Sequence, residues 1–167
     1  MTTADHTTLF GYLAGSKIEG PGNNSFFGSN AGKETNSGNN AAFGAEALKE
    51  NSGEGNAAVG CRAIKVATGA TKVTAVGGYS FSALTTGDNN VAIGYEAGAP
   101  DGGTALTTGS NCTLIGYQSE PSANNATNEI TLGNAAVTKF RVPGLNFSLK
   151  DTTATEDYVL TVDSNGD

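Results

Sequence analysis

The sequence predicts an all-β fold, a parallel β-roll or β-solenoid of about eight coils of 16–17 residues each. Three columns predict it. Aligned on one recurrent glycine, the chain falls into eight rows at Gly11, Gly28, Gly44, Gly60, Gly77, Gly94, Gly116 and Gly133, with steps of 17, 16, 16, 17, 17, 22 and 17. The residue before each glycine is large and apolar: Phe10, Phe27, Phe43, Val59, Val76, Ile93, Ile115 and Leu132. The residue three after it is small: Ala14, Ala31, Ala47, Ala63, Ser80, Ala97, Ser119 and Ala136. A fixed period marks a stacked-repeat protein. This one is too short for a helical pair and suits one solenoid turn, with equivalent residues stacked about 4.8 Å apart.

In chain order, residues 1–6 form a flexible polar lead, 7–137 the repeat roll and 138–167 a C-terminal β tail expected to lead into a further segment. Each coil has one short strand ending at its glycine, which supplies the bend. Five residues earlier stands Asn23, Asn39, Asn89, Asn111 or Asn128, replaced by His6, Gly55 and Lys72 in the other rows, where a turn needs positive φ. Coils two to four are the most even, and Lys33, Glu34, Glu46, Lys49, Glu50, Glu54 and Arg62 read as their solvated face. The long step after coil six places an insertion, 99–106, that should loop out of the wall. Thr138 to Val142 and Leu145 to Leu149 read as tail strands about a Pro143-Gly144 turn, and Tyr158 to Val162 as another.

Strand alternation puts positions two apart on one face. The large column before the glycine is therefore expected to line a narrow core together with Thr8, Ser25, Ala41, Ala57, Thr74, Val91, Thr113 and Ile130, three before it. The column two before the glycine, Leu9, Phe26, Ala42, Ala58, Ala75, Ala92, Leu114 and Thr131, is then expected outside, although only one member is polar. An apolar stripe repeated on every coil calls for a cover. A lone thin roll returns little burial against the backbone entropy of ordering each coil, so self-association is expected.

Composition excludes several functions. The 167 residues are 15% charged and include 24 glycines, against about a quarter charged and 7% glycine in ordinary domains. The net charge of −7 and a pI near 4.6 leave no basic patch for nucleic acid. No apolar run approaches the roughly 18 residues of a membrane-spanning helix, and residues 1–6 carry no signal-peptide pattern. His6 is the only histidine, so neither a catalytic triad nor a histidine metal site has material. Glu46 and Glu96 share the column two after the glycine with Leu13, Arg62 and Gln118, an outer face rather than a pair of catalytic acids. No catalytic, cofactor or metal residue is expected, and the chain does not read as an enzyme. Cys61 and Cys112, three coils and about 14 Å apart, are too distant for a disulfide and read as small fillers. No Thr-x-Thr column recurs, which speaks against an ice-binding face.

The units Asn89-Asn90-Val91-Ala92-Ile93-Gly94-Tyr95-Glu96-Ala97, Asn39 to Ala47 and Cys112 to Ser119 resemble the head repeat of trimeric autotransporter (YadA-like) adhesins, which also occurs in phage tail-fibre and whisker proteins. Asn128 to Asn134 leading to Leu145, and Tyr158 to Asp163, are similar to the phage group. The resemblance implies a left-handed roll and an intertwined homotrimer. It further implies a virion fibre segment supporting host receptor attachment or, as the alternative, the head of an adhesin on a bacterial surface. Self is the expected partner, with end-to-end filament growth permitted by open solenoid ends and a host glycan or protein as the target. Nucleic acid and membrane insertion are not expected. Tyr12, Tyr95 and Tyr117, each following its glycine, are the candidate receptor contacts.

Overall fold

The computed structural model describes residues 6–20 and 22–141. Eight three-residue strands, one per coil, stack in parallel: β1 (Thr8–Phe10), β2 (Ser25–Phe27), β4 (Ala41–Phe43), β6 (Ala57–Val59), β8 (Thr74–Val76), β9 (Val91–Ile93), β10 (Thr113–Ile115) and β11 (Ile130–Leu132). Coils two to four add a second wall from β3 (Glu34–Thr35), β5 (Glu50–Asn51) and β7 (Val66–Ala67). The described residues contain no helix. Pairing follows the sequence columns without slippage: Phe43 stands over Val59, Val59 over Val76 and Val76 over Ile93.

Backbone conformation explains the columns. The positions five before the glycine all lie in the left-handed region, from Asn23 (φ 64°) and Asn39 (φ 62°) to Lys72 (φ 55°) and Asn128 (φ 58°). Asparagine tolerates this region better than most residues. The bend glycines are required more strictly. Gly60 has φ 131°, and a Cβ there would lie 2.5 Å from the carbonyl oxygen of Gly77 in the next coil. The glycine column is thus where successive backbones come closest.

The structure reverses the expected faces of the strand. From coil two to coil seven the column two before the glycine is buried: Phe26, Ala42, Ala58, Ala75, Ala92 and Leu114 have no exposed surface, and only the end members differ, Leu9 being exposed and Thr131 half-buried. The predicted core ladder lies outside, with Phe10, Phe43, Val59, Val76, Ile93, Ile115 and Leu132 exposed and Phe27 half-buried. Positions three before the glycine are half-buried or exposed rather than core. The strand faces alternate as expected, with the opposite sign. The true interior also receives the residues three and four after the glycine, and Ala47 with Leu48, Ala63 with Ile64, and Ser80 with Phe81 fill it.

The core is volume-compensated within coils two to five. In coils three to five an alanine two before the glycine goes with a large residue four after it: Ala42 with Leu48, Ala58 with Ile64, Ala75 with Phe81; coil six pairs Ala92 with Gly98, where Phe81 and Leu114 of the neighbouring coils fill the space an added Cβ would take. Phe26 is matched instead with Gly32, where a Cβ would overlap the Phe26 ring. Close packing has this consequence in a tube of fixed bore.

Two further expectations change. Cys112 is buried, as a filler should be, but Cys61 follows its bend glycine on the exposed surface. Residues 138–141 form no strand, and the other tail elements lie outside the described residues.

Candidate interaction surfaces

Three features of the surface could do chemistry or recognition. The first is the outer apolar ladder. In-register stacking brings its members into contact: the Phe27 and Phe43 rings stack at 4.9 Å between centroids, and Phe10 lies 6.3 Å from Phe27. Val59 and Ile93 each expose 43% of their surface, and Phe10 74%. A straight row of large apolar side chains therefore runs along one wall on every coil. Scattered exposed apolar residues need no explanation, but a contiguous stripe marks an interaction face.

The second feature is an aromatic corner. Of the three predicted contact tyrosines, all exposed, the structure brings together Tyr95 and Tyr117, whose rings lie 6.1 Å apart at 14°. It adds Tyr79, whose ring meets Tyr95 edge-on at 5.9 Å. Tyr12 stands apart, because Ser29, Ala45, Cys61 and Gly78 occupy its column in the intervening coils. Tyr79 escaped notice in the sequence because it sits two after its glycine rather than one.

The insertion passes beside this corner. It loops out as expected, but its last residue returns: Leu106 is buried, and its N–H donates to the Gly98 carbonyl at 2.8 Å, closing the neck. The loop is tied down by the Asp101 N–H to Glu96 Oε2 at 3.4 Å and the Thr104 N–H to Glu120 Oε2 at 3.1 Å. Between loop and tyrosines lies an open cleft of about 460 Å³. The hydrogen bond from Gln118 holds the Glu96 carboxyl below its ordinary range, and Glu96 in turn raises the Tyr95 phenol.

The third feature is the charged side. Arg62 Nε donates to Glu46 Oε2 at 3.0 Å, Lys65 Nζ lies 3.6 Å from the same oxygen, and Lys17 pairs with Glu34 at 2.7 Å. The Arg62 guanidinium also lies 5.6 Å from the Tyr79 ring centre. Glu34 and Glu46 are thus neutralised across neighbouring coils, whereas Glu96, in the same column as Glu46, has no ion pair among the described residues and is tied to the next coil by the Gln118 amide at 2.7 Å. Among the described residues no group of three His, Cys, Asp or Glu side chains could hold a metal ion, and no helix could cross a membrane.

Inside the wall runs an asparagine ladder that sequence reasoning missed. Asn24, Asn40, Asn56 and Asn90, four before the glycine, are buried. Each Oδ1 accepts the backbone N–H of the residue one coil on: Asn40, Asn56, Val73 and Cys112 respectively, at 2.9–3.0 Å. Each Nδ2 donates to a turn carbonyl, at Ser37, Gly53, Ala70 and Gly109. The doubled Asn23-Asn24, Asn39-Asn40 and Asn89-Asn90 carried the signal.

No family model, curated protein or solved structure matches this chain. The described residues thus define a parallel β-solenoid repeat protein, a class that does not by itself specify a function.

Proposed function

We propose that this chain is a structural and adhesive fibre segment, a homotrimeric β-roll of a bacteriophage tail or whisker fibre that supports host attachment. The observation that carries this reading is the outer ladder from Phe10 to Leu132, an apolar stripe on every coil that no other described residue covers. Parallel copies around a common axis would bring equivalent rungs to the same height, so that one narrow stripe per chain closes a shared core. The reversal of inside and outside strengthens the expectation of self-association. The residues left outside are larger and more apolar than the alanines that went in.

Rigidity supports the mechanical half of the reading. Backbone hydrogen bonds join each coil to the next at several points; the Gly60 N–H, for instance, donates to Phe43 O at 2.8 Å and the Leu48 N–H to Ala63 O at 3.1 Å. The repeat resemblance supplies the trimer and the phage context.

Light scattering at several concentrations tests the assembly. The expected mass is about three times 16.7 kDa, and Ile93→Asp with Val59→Asp should lower it to that of one chain. A folded wild-type monomer overturns the reading. Host attachment is tested by competition: purified protein should slow adsorption of a phage displaying this chain to its host cells. No slowing at saturating protein would leave only the spacer role.

A further inference from the structure

We propose that the cleft between the tyrosine corner and the inserted loop binds a neutral hexopyranose unit of a glycan. The site is built from one chain's coils five and six and stands independently of the trimer. Its floor is Tyr95, half exposed, backed by the parallel Tyr117 ring and the edge of Tyr79. Tyr95 is also held from below, since it packs over Gly78, where an added Cβ would lie 3.4 Å from the tyrosine ring. An aromatic platform braced on two sides loses little conformational freedom when a ligand stacks on it.

The wall comes from the insertion. Pro100 and Asp101 line the cleft together with Ser82 and Glu96. This loop is anchored at its neck by Leu106 and along its length by Glu96 and Glu120. The cleft lies where the period breaks, at the 22-residue step, and there a groove runs against the aromatic corner.

The chemistry of these groups selects the ligand. A pyranose presents a face of C–H groups that packs on an aromatic ring and a rim of hydroxyl donors. Ionised carboxylates accept such donors, and only accept. Glu96 already receives Gln118 Nε2 at 2.7 Å and the Asp101 N–H, which fixes its position. Asp101 is exposed at the rim, and its carboxylate bonds to no described side chain or backbone N–H, leaving it free for a vicinal diol. Two carboxylates in a chain of net charge −7 repel sialic, uronic and phosphorylated sugars. A neutral hexose satisfies both the ring and the acceptors.

The test uses the full chain and saturation-transfer NMR with methyl glucopyranoside, galactopyranoside and mannopyranoside, against glucuronate and N-acetylneuraminate. At least one neutral glycoside should receive transfer, strongest at its ring C–H protons. Tyr95→Ala and Asp101→Asn should each weaken binding about three- to tenfold, and Tyr12→Ala should leave it unchanged. Circular dichroism checks that each surface variant keeps the roll. The proposal is overturned if no neutral glycoside receives transfer, if the Tyr95→Ala/Asp101→Asn double variant binds as well as the wild type, or if the charged sugars bind as tightly. Sugar binding by a monomeric chain would uphold this site while overturning the trimeric assembly.

Discussion

The side-chain oxygen of Asn40 accepts the backbone N–H of Asn56 at 2.9 Å, one coil further on, while Asn40 Nδ2 donates to Gly53 O at 3.2 Å. One buried amide thus splices two coils to a turn, and the same splice recurs along the wall. Its neighbour Asn39 is asparagine for another reason, the left-handed backbone at φ 62°.

The two residues of this pair should therefore respond in opposite ways to glycine. Asn39→Gly keeps the permitted backbone and should change stability by less than about 0.5 kcal/mol, whereas Asn39→Ala should cost about 1 kcal/mol. Asn40→Gly orphans the buried Asn56 N–H at about 1–3 kcal/mol, while the Gly53 carbonyl keeps its donors from Asn51 Nδ2 and Ser37 Oγ. Urea midpoints of the three variants decide it, and equal losses at both positions for glycine would contradict the ladder.

Substituting Gly60 by alanine should be among the most damaging single changes in the chain. The new Cβ would meet the Gly77 carbonyl carbon at 2.6 Å as well as its oxygen, on a backbone at φ 131°. Gly102→Ala, in the inserted loop with nothing within 4 Å of its added Cβ, meets only the backbone term of its φ of 73°, about 1 kcal/mol. Thermal unfolding followed by circular dichroism should show a folded Gly102→Ala and a largely unfolded Gly60→Ala.

Volume compensation predicts a rescue. Phe26→Ala should cost about 3–5 kcal/mol, and Gly32→Leu alone should overfill the same coil. The double variant copies coil three, which pairs Ala42 with Leu48, and should recover most of the loss. A double-mutant cycle measures the coupling. Additive losses would mean that the two sites do not share one volume.

Acid should loosen the last coil through Glu129. Its carboxyl is held below the usual range chiefly by the hydrogen bond from Ser122 Oγ, against the effect of burial, with help from the Ser122 N–H at 2.8 Å and Thr131 Oγ1 at 3.0 Å. A depressed folded-state value contributes stability that is present above the unfolded value of about 4.3 and is lost as pH falls through the folded one. Wild type should exceed Glu129→Gln in stability at neutral pH, and the gap should close as the pH falls below the depressed folded-state value. A gap that persists in acid would sink the assignment to the carboxylate's charge.

The amino-acid sequence by itself determined the period, the register and the bend. Eight glycines with a large residue before and a small one three after leave only one way to stack the coils, because a slip would put a Cβ where Gly60 meets Gly77. The insertion and the exposure of Tyr12, Tyr95 and Tyr117 were legible for the same reason, since they are departures from a counted pattern. What only the tertiary structure decided was which side of the strand faces in. A three-residue strand such as Ala57–Val59 alternates by geometry, but alternation has no sign when both faces are apolar. The sign comes from closure of the tube: Leu48, Ile64 and Phe81, at left-handed positions four after their glycines, occupy the bore and leave room opposite them only for alanine. Val59 and Ile93, with no space inside, were turned outward, and the cleft beside Tyr95 formed because Leu106 had to return to the same bore.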